Sequence, residues 1–169
     1  IVLDKYLGVS FFEIDDYLKI KFLSLKYIFI NNELENVVIK IDQKNLYNLE
    51  LQRQIKKNII TNSIVDFSKA SLKKEKINYD IKMRIKGDRS LHWYDKDQSS
   101  YKIDLRGEKR VWGLEEFSLQ KPITRNYIYE YVFHKLLEVN KLISLKYFFI
   151  NLSLNDTDQG IYAVEEGFS

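Results

Sequence analysis

From Ile77 to Lys86 the chain alternates without a break. Ile77, Tyr79, Ile81, Met83 and Ile85 are apolar, while Asn78, Asp80, Lys82, Arg84 and Lys86 are polar. Successive side chains of a strand project to opposite faces, so this pattern specifies a strand with one buried face and one wet face. Such a strand belongs in an antiparallel sheet that covers a core on one side only. Everything else in the chain has to be arranged around that constraint.

Neighbouring segments supply the partners. Tyr101, Ile103 and Leu105 repeat the alternation after a polar loop, and Phe117 and Leu119 mark a third, shorter strand. A helix is expected from about Thr124 to Asn140, capped by Thr124, with Ile128, Val132, Leu136 and Val139 as its apolar stripe. Leu145 to Leu152 is apolar on both faces, as a central strand should be. Asn155-Asp156-Thr157-Asp158-Gln159-Gly160 then supplies turn chemistry, and Ile161 to Val164 returns as a hairpin partner. Upstream, Ser10-Phe11-Phe12-Glu13 has the form of a capping box, with apolar residues at Phe11, Ile14, Leu18, Phe22 and Leu25. These predict a helix over about Phe11 to Leu23, a strand through Tyr27 to Ile30, a strand from Val37 to Ile41 and a helix capped by Asp42 that carries Leu46, Leu49 and Ile55. Ser24-Leu25-Lys26-Tyr27 recurs as Ser144-Leu145-Lys146-Tyr147, a match too short for a duplication and read as two similar buried strands. The expected fold class is α+β: an antiparallel sheet with one packed helix, preceded by a helix and strand segment over residues 1–36, with residues 37–169 as the main domain.

Composition narrows the function. The 27 basic and 24 acidic side chains leave a net charge of +3, too little to argue for nucleic acid or an anionic membrane. The runs Lys73-Lys74-Glu75-Lys76 and Arg106-Gly107-Glu108-Lys109-Arg110 are broken by acids and read as solvated turns. The absence of cysteine removes disulfides and thiolate metal sites, and two histidines are too few for a histidine-rich metal centre. No window reaches the roughly 20 apolar residues of a membrane helix, and no secretory signal is visible. The chain begins at Ile1 and not at methionine. That points to a missing start and leaves room for an upstream leader, which would put the domain outside the cytoplasm or in the cell envelope.

The motifs fall in a definite order. Lys86-Gly87-Asp88-Arg89-Ser90 follows the alternating strand, and Ser100-Tyr101-Lys102-Ile103 carries a strand lysine. Gly113-Leu114-Glu115-Glu116-Phe117-Ser118-Leu119 comes next, then Arg125 and Glu130 near the helix start, and last Gly160-Ile161-Tyr162 with Glu165. This ordered set resembles the CotH family of spore-coat-type atypical protein kinases, over about Val37 to Phe168. Asn155-Asp156 stands where the family has Asn-Gly, a mild departure because Asp also tolerates a tight turn.

The resemblance implies a sheet like the small lobe of a protein kinase and a transfer of the ATP γ-phosphoryl group to a protein substrate, with magnesium as the metal. It implies that Lys102 or Lys121 grips the phosphates, that Glu130 orients that lysine, and that the Gly87 loop covers the nucleotide. Arg125 would contact phosphate or an acid, and Glu165 would stand where the hinge begins. Lys102 and Lys121 compete for one role. Each has a plainer reading too: a solvated strand lysine, a surface arginine, a solvent-facing glutamate. One glycine alone is weak for a phosphate loop. The family's metal-binding aspartates would lie beyond Ser169, so these residues by themselves are expected to bind without transferring. No metal ligands are assigned within the chain. The competing reading is a non-catalytic scaffold module that contacts other proteins.

Overall fold

A computed structural model describes residues 34–57, 67–87, 89–94 and 98–167, all within the compact unit Leu34–Ser169. The helix expected over Phe11 to Leu23 and the strand through Tyr27 to Ile30 lie outside the described residues, as does most of segment 1–36.

Among the described residues seven strands are formed: β1 (Glu35–Lys40), β2 (Ser68–Lys74), β3 (Ile77–Ile85), β4 (Tyr101–Leu105), β5 (Glu116–Gln120), β6 (Tyr147–Leu154) and β7 (Thr157–Glu166). Within the same residues they are accompanied by the helices α1 (Gln43–Lys57) and α2 (Tyr129–Val139), with 3-10 turns at Ser90–His92 and Pro122–Arg125. The strands run β1-β2-β3-β4-β5-β7-β6, and β6 returns to β1 to close a barrel. Every pairing is antiparallel except that closing one, which is parallel.

This overturns the expectation of an antiparallel sheet with one packed helix resembling a protein-kinase small lobe: the described strands close into a barrel, and two helices accompany it. The closure is made by β1 and β2. Ile39 of β1 stands opposite Leu72 of β2 on one side and Leu154 of β6 on the other, which leaves no free sheet edge. β2 went unread in the sequence because Ser-Lys-Ala-Ser-Leu-Lys-Lys offers only Ala70 and Leu72 as apolar positions. Its pairing with β3, from Ser68 opposite Met83 to Lys74 opposite Ile77, makes the alternating strand central. Asn155 pins the seam. Its Oδ1 accepts from the Ile41 amide at 2.8 Å and its Nδ2 donates to the Ile41 carbonyl at 2.8 Å. Asn155 and Asp156 both take positive φ, 47° and 64°, as a two-residue type I′ hairpin requires.

While Ile77 is half exposed and Tyr79 only partly buried, the apolar face of β3 is buried over its second half, where Ile81, Met83 and Ile85 are fully enclosed. Ile39, Leu72, Ile103, Phe117, Leu119, Ile150, Leu152, Tyr162 and Val164 fill the interior with them. Each such side chain removed from water contributes about 1.5–3 kcal/mol. α1 covers one end of the barrel. Asp42 caps it, with Oδ1 accepting from the Asn45 amide at 2.8 Å, and that bond holds the Asp42 carboxyl below its ordinary range. Leu49 is buried under the helix, and Gln52 Oε1 accepts the Ile85 amide at 2.9 Å, which ends the β3 ladder.

α2 differs from its sequence expectation in two ways. Thr124 is not its cap. Thr124 lies in the 3-10 turn and donates to the Lys121 carbonyl at 2.7 Å, and the left-handed residues Asn126 (φ 50°) and Tyr127 (φ 61°) separate that turn from the helix. Nor does the apolar stripe face the sheet. Ile128, Val132, Leu136 and Val139 are all exposed, and α2 packs through Tyr131 against Phe149 and through His134, stacked on Tyr147 with centroids 5.7 Å apart. Among the described residues, no helix is long and apolar enough to cross a membrane.

Candidate functional site

The outer face of the barrel gathers charge because every second strand residue must point away from the core. Cross-strand register puts Arg84 opposite Lys102, Lys102 opposite Ser118, Ser118 opposite Glu165, and Glu165 opposite Tyr147. This row crosses five strands on the outside, one position away from the buried Ile85, Leu119 and Val164.

Glu165 is its centre. Its side chain is only 13% exposed, with Lys86 Nζ 3.5 Å from Oε1 and Arg125 Nη2 3.6 Å from Oε2. Both separations exceed the roughly 2.7–2.9 Å of a tight charge-assisted hydrogen bond. Two cations thus share one carboxylate loosely. Glu165 Oε2, Arg125 Nε and His92 Nδ1 are each buried without a hydrogen-bond partner among the described residues. Burial pushes the Lys86 ammonium below its ordinary pKa, opposed by Glu165 and reinforced by Arg125 and Lys102. Burial also lowers His92, and the charges of Lys86 and Arg125 lower it further. On the far side, the Tyr147 phenol is pushed up to about 12 by burial and by Glu165 and Glu130. With His92 neutral, Lys86, Arg125 and Glu165 leave one net positive charge on a half-buried surface.

The turn that supplies Arg125 also opens a groove. Pro122 and Ile123 from that turn, Leu91 and Tyr94 from the Ser90–His92 region, and Tyr127 and Phe149 line an apolar cavity of about 760 Å³. Tyr94 and Tyr127 are 72% and 60% exposed there, so both offer ring surface to a ligand.

The residues singled out from sequence separate into groups. Arg125 and Glu165 meet. Gly87 follows Lys86 with φ 85° and lies against the His92 ring, while its carbonyl accepts from Lys56 Nζ at 2.7 Å. Lys102 is engaged elsewhere, 2.6 Å from Glu116 Oε1, and reaches the cluster only through its charge on Lys86. Lys121 is buried and lines the apolar groove. Glu130 Oε1 stands 3.6 Å from His134 Nε2, one turn further along α2. Arg125, expected near the start of the helix, instead ends the 3-10 turn Pro122–Arg125 that precedes it. Trp112 and Trp93 are not ligand platforms but pack on the core: Trp112 meets Phe117 and Phe148 edge-on and donates Nε1 to Glu35 Oε2 at 2.7 Å.

Lys86 and His92 received no role from the sequence. Lys86 was legible in part, because it extends the polar side of β3 toward the row begun by Arg84. His92 carries no such signal, since its place depends on the Gly87 turn. Magnesium finds no ready ligand set here, because no group of three or more His, Asp or Glu side chains placed to hold a metal occurs among the described residues.

No family model matches the chain, and no curated protein matches it.

Proposed function

We propose that this chain binds the phosphates of a nucleoside triphosphate at Lys86 and Arg125, as the nucleotide-clamping portion of a CotH-like protein kinase. The observation that carries this reading is the loose convergence of two cations on the shielded carboxylate of Glu165. A carboxylate that holds two cations 3.5–3.6 Å away keeps them close in the absence of ligand. Phosphate oxygens offer the same cations shorter, charge-assisted bonds. The apolar groove built from the same turns gives the nucleoside a surface, with Tyr94 or Tyr127 to stack on the base. The motif order from Lys86 to Glu165 supports the kinase assignment, and ATP is the expected cofactor.

In this reading Lys86 takes the phosphate-gripping role that sequence offered to Lys102 or Lys121. Glu165 organises the cations, and Arg125 supplies a planar fork for phosphate oxygens. Magnesium would be held by residues other than those described. The described residues are therefore expected to bind nucleotide without themselves supplying magnesium ligands for γ-phosphoryl transfer.

Calorimetric titration with ATP, ADP and adenosine tests the reading. Affinity should fall from ATP to adenosine, and Lys86→Met and Arg125→Met should each weaken ATP about tenfold. Equal affinity for ATP in the double variant would remove the phosphate site. A non-catalytic module for protein contacts is the competing reading. It draws on the exposed apolar side chains of α2, and the absence of any nucleotide binding in the same titration would favour it.

A further inference from the structure

The outer side of α2 carries apolar surface that the fold does not use. At about 100° per residue, Ile128, Val139, Val132, Leu136, Tyr129 and Phe133 follow one another around a single arc of the helix. All six are exposed. Tyr131 and His134, which hold α2 to the sheet, lie on the opposite side. The apolar run continues past the helix end. Lys141 takes φ 58°, its amide donates to the Glu138 carbonyl at 3.0 Å, and the Leu142 amide donates to the Leu137 carbonyl at 2.9 Å. These are the two bonds of a Schellman turn, in which the residue after the left-handed one usually packs back on its helix. Leu142 instead stays exposed, and Ile143 beyond it is 97% exposed.

The extent of this surface is unusual for a monomer. The exposed apolar side chains from Ile128 to Ile143 present roughly 1000 Å², against about 300–600 Å² for the largest apolar patch on a typical monomer. One subunit of a standard stable interface gives about 800 Å². Charge then selects the occupant. No charged side chain lies within the arc, the pattern of an interface core. Lys135 stands at one margin with Nζ 2.7 Å from Glu138 Oε2 beside it. Two helices related by a two-fold axis across them run antiparallel, which sets the same margin of each side by side in reverse order. Lys135 of one copy then meets Glu138 of the other, so the surface is complementary to itself. An anionic membrane or a charged protein finds no net charge at this margin to read.

We propose that the outer face of α2 joins two copies of this chain as a homodimer, about a two-fold axis near Leu136. Ile128 also lines the apolar groove, so the interface ends beside it, and it calls on none of Lys86, Arg125 and Glu165.

Sedimentation analysis of the whole 169-residue chain, without nucleotide, tests it. The mass should rise with concentration from monomer to dimer and stop there. Leu136→Glu puts a charge at the centre of the interface and should weaken the dimer about a hundredfold. Lys135→Glu and Glu138→Lys leave the apolar arc intact. Each should weaken the dimer about tenfold, because like charges then meet across the axis. Mixed in equal amounts, these two variants should regain the wild-type affinity. Within either chain the ion pair stays broken, so only contact between copies restores it. All three positions are exposed in the monomer, and far-ultraviolet circular dichroism checks that each variant is folded. A monomer at every concentration overturns the proposal, as does assembly beyond the dimer. A mixture no tighter than either variant alone overturns it too. So does a monomeric chain that floats with phosphatidylcholine vesicles, which would give the face to lipid. ATP binding is not read in this experiment, so the phosphate site stands or falls by itself.

Discussion

Glu165 shows how much of this surface is decided by single side chains. Lys86 and Arg125 would repel each other on a half-buried face, and one carboxylate between them makes the pair tolerable. His92 stays neutral in this company. Its folded pKa is depressed below 6.5 by burial and by the two cations, so between that lowered value and 6.5 the unfolded chain binds more protons than the folded one. Stability therefore falls as pH drops below 6.5. Urea unfolding from pH 7.5 to 5 should show wild type losing stability relative to His92→Gln, and parallel curves would remove His92 from the cluster. Gly87 matters for geometry. At φ 85° a β-carbon is strained, and one built there overlaps the His92 ring. Gly87→Ala should cost about 1–3 kcal/mol in the same unfolding experiment. These residues also mark where sequence reasoning stops. Arg125 and Glu165 came from a motif and do meet. Lys86 and His92 depend on a turn whose path no periodicity encodes.

At the scale of elements, α2 is the most instructive. Its apolar stripe at Ile128, Val132, Leu136 and Val139 reads as a core face, yet the helix packs through Tyr131 and His134. A stripe states which face is apolar and says nothing of which way the preceding turn delivers it. Here Asn126 and Tyr127, both left-handed, set that delivery. Leu136→Ser and Val139→Ser should each change stability by under about 0.5 kcal/mol, as surface changes do. Losses of about 2–5 kcal/mol on calorimetric melting would restore the stripe to a core. β3 is the opposite case. Its alternation was sufficient because both neighbours lie in register and Ile81, Met83 and Ile85 enter the same interior, although Ile77 at its start stays half exposed. β2 was invisible because most of its side chains are polar, and its place comes from pairing with β3.

For the whole molecule, closure is the feature that local pattern could not announce. It rests on the parallel pairing of β1 with β6, partners more than a hundred residues apart, and on the bonds from Asn155 to Ile41. Hydrogen exchange tests it: the amides of β1 should exchange only with global unfolding, at the same free energy as those of β7. Fast exchange confined to β1 would describe an open sheet. Ile39→Ala should cost about 2–5 kcal/mol, because the side chain is buried where the barrel closes.

The central claim is that Lys86 and Arg125 form a phosphate site. The most direct measurement is NMR of the side-chain Nε–H of Arg125 and Nζ of Lys86 during titration with ATP and then with adenosine. Large saturable shifts at both groups with ATP, and none with adenosine, are the predicted result. Shifts confined to the groove aromatics with both ligands, or no shift at all, would contradict it.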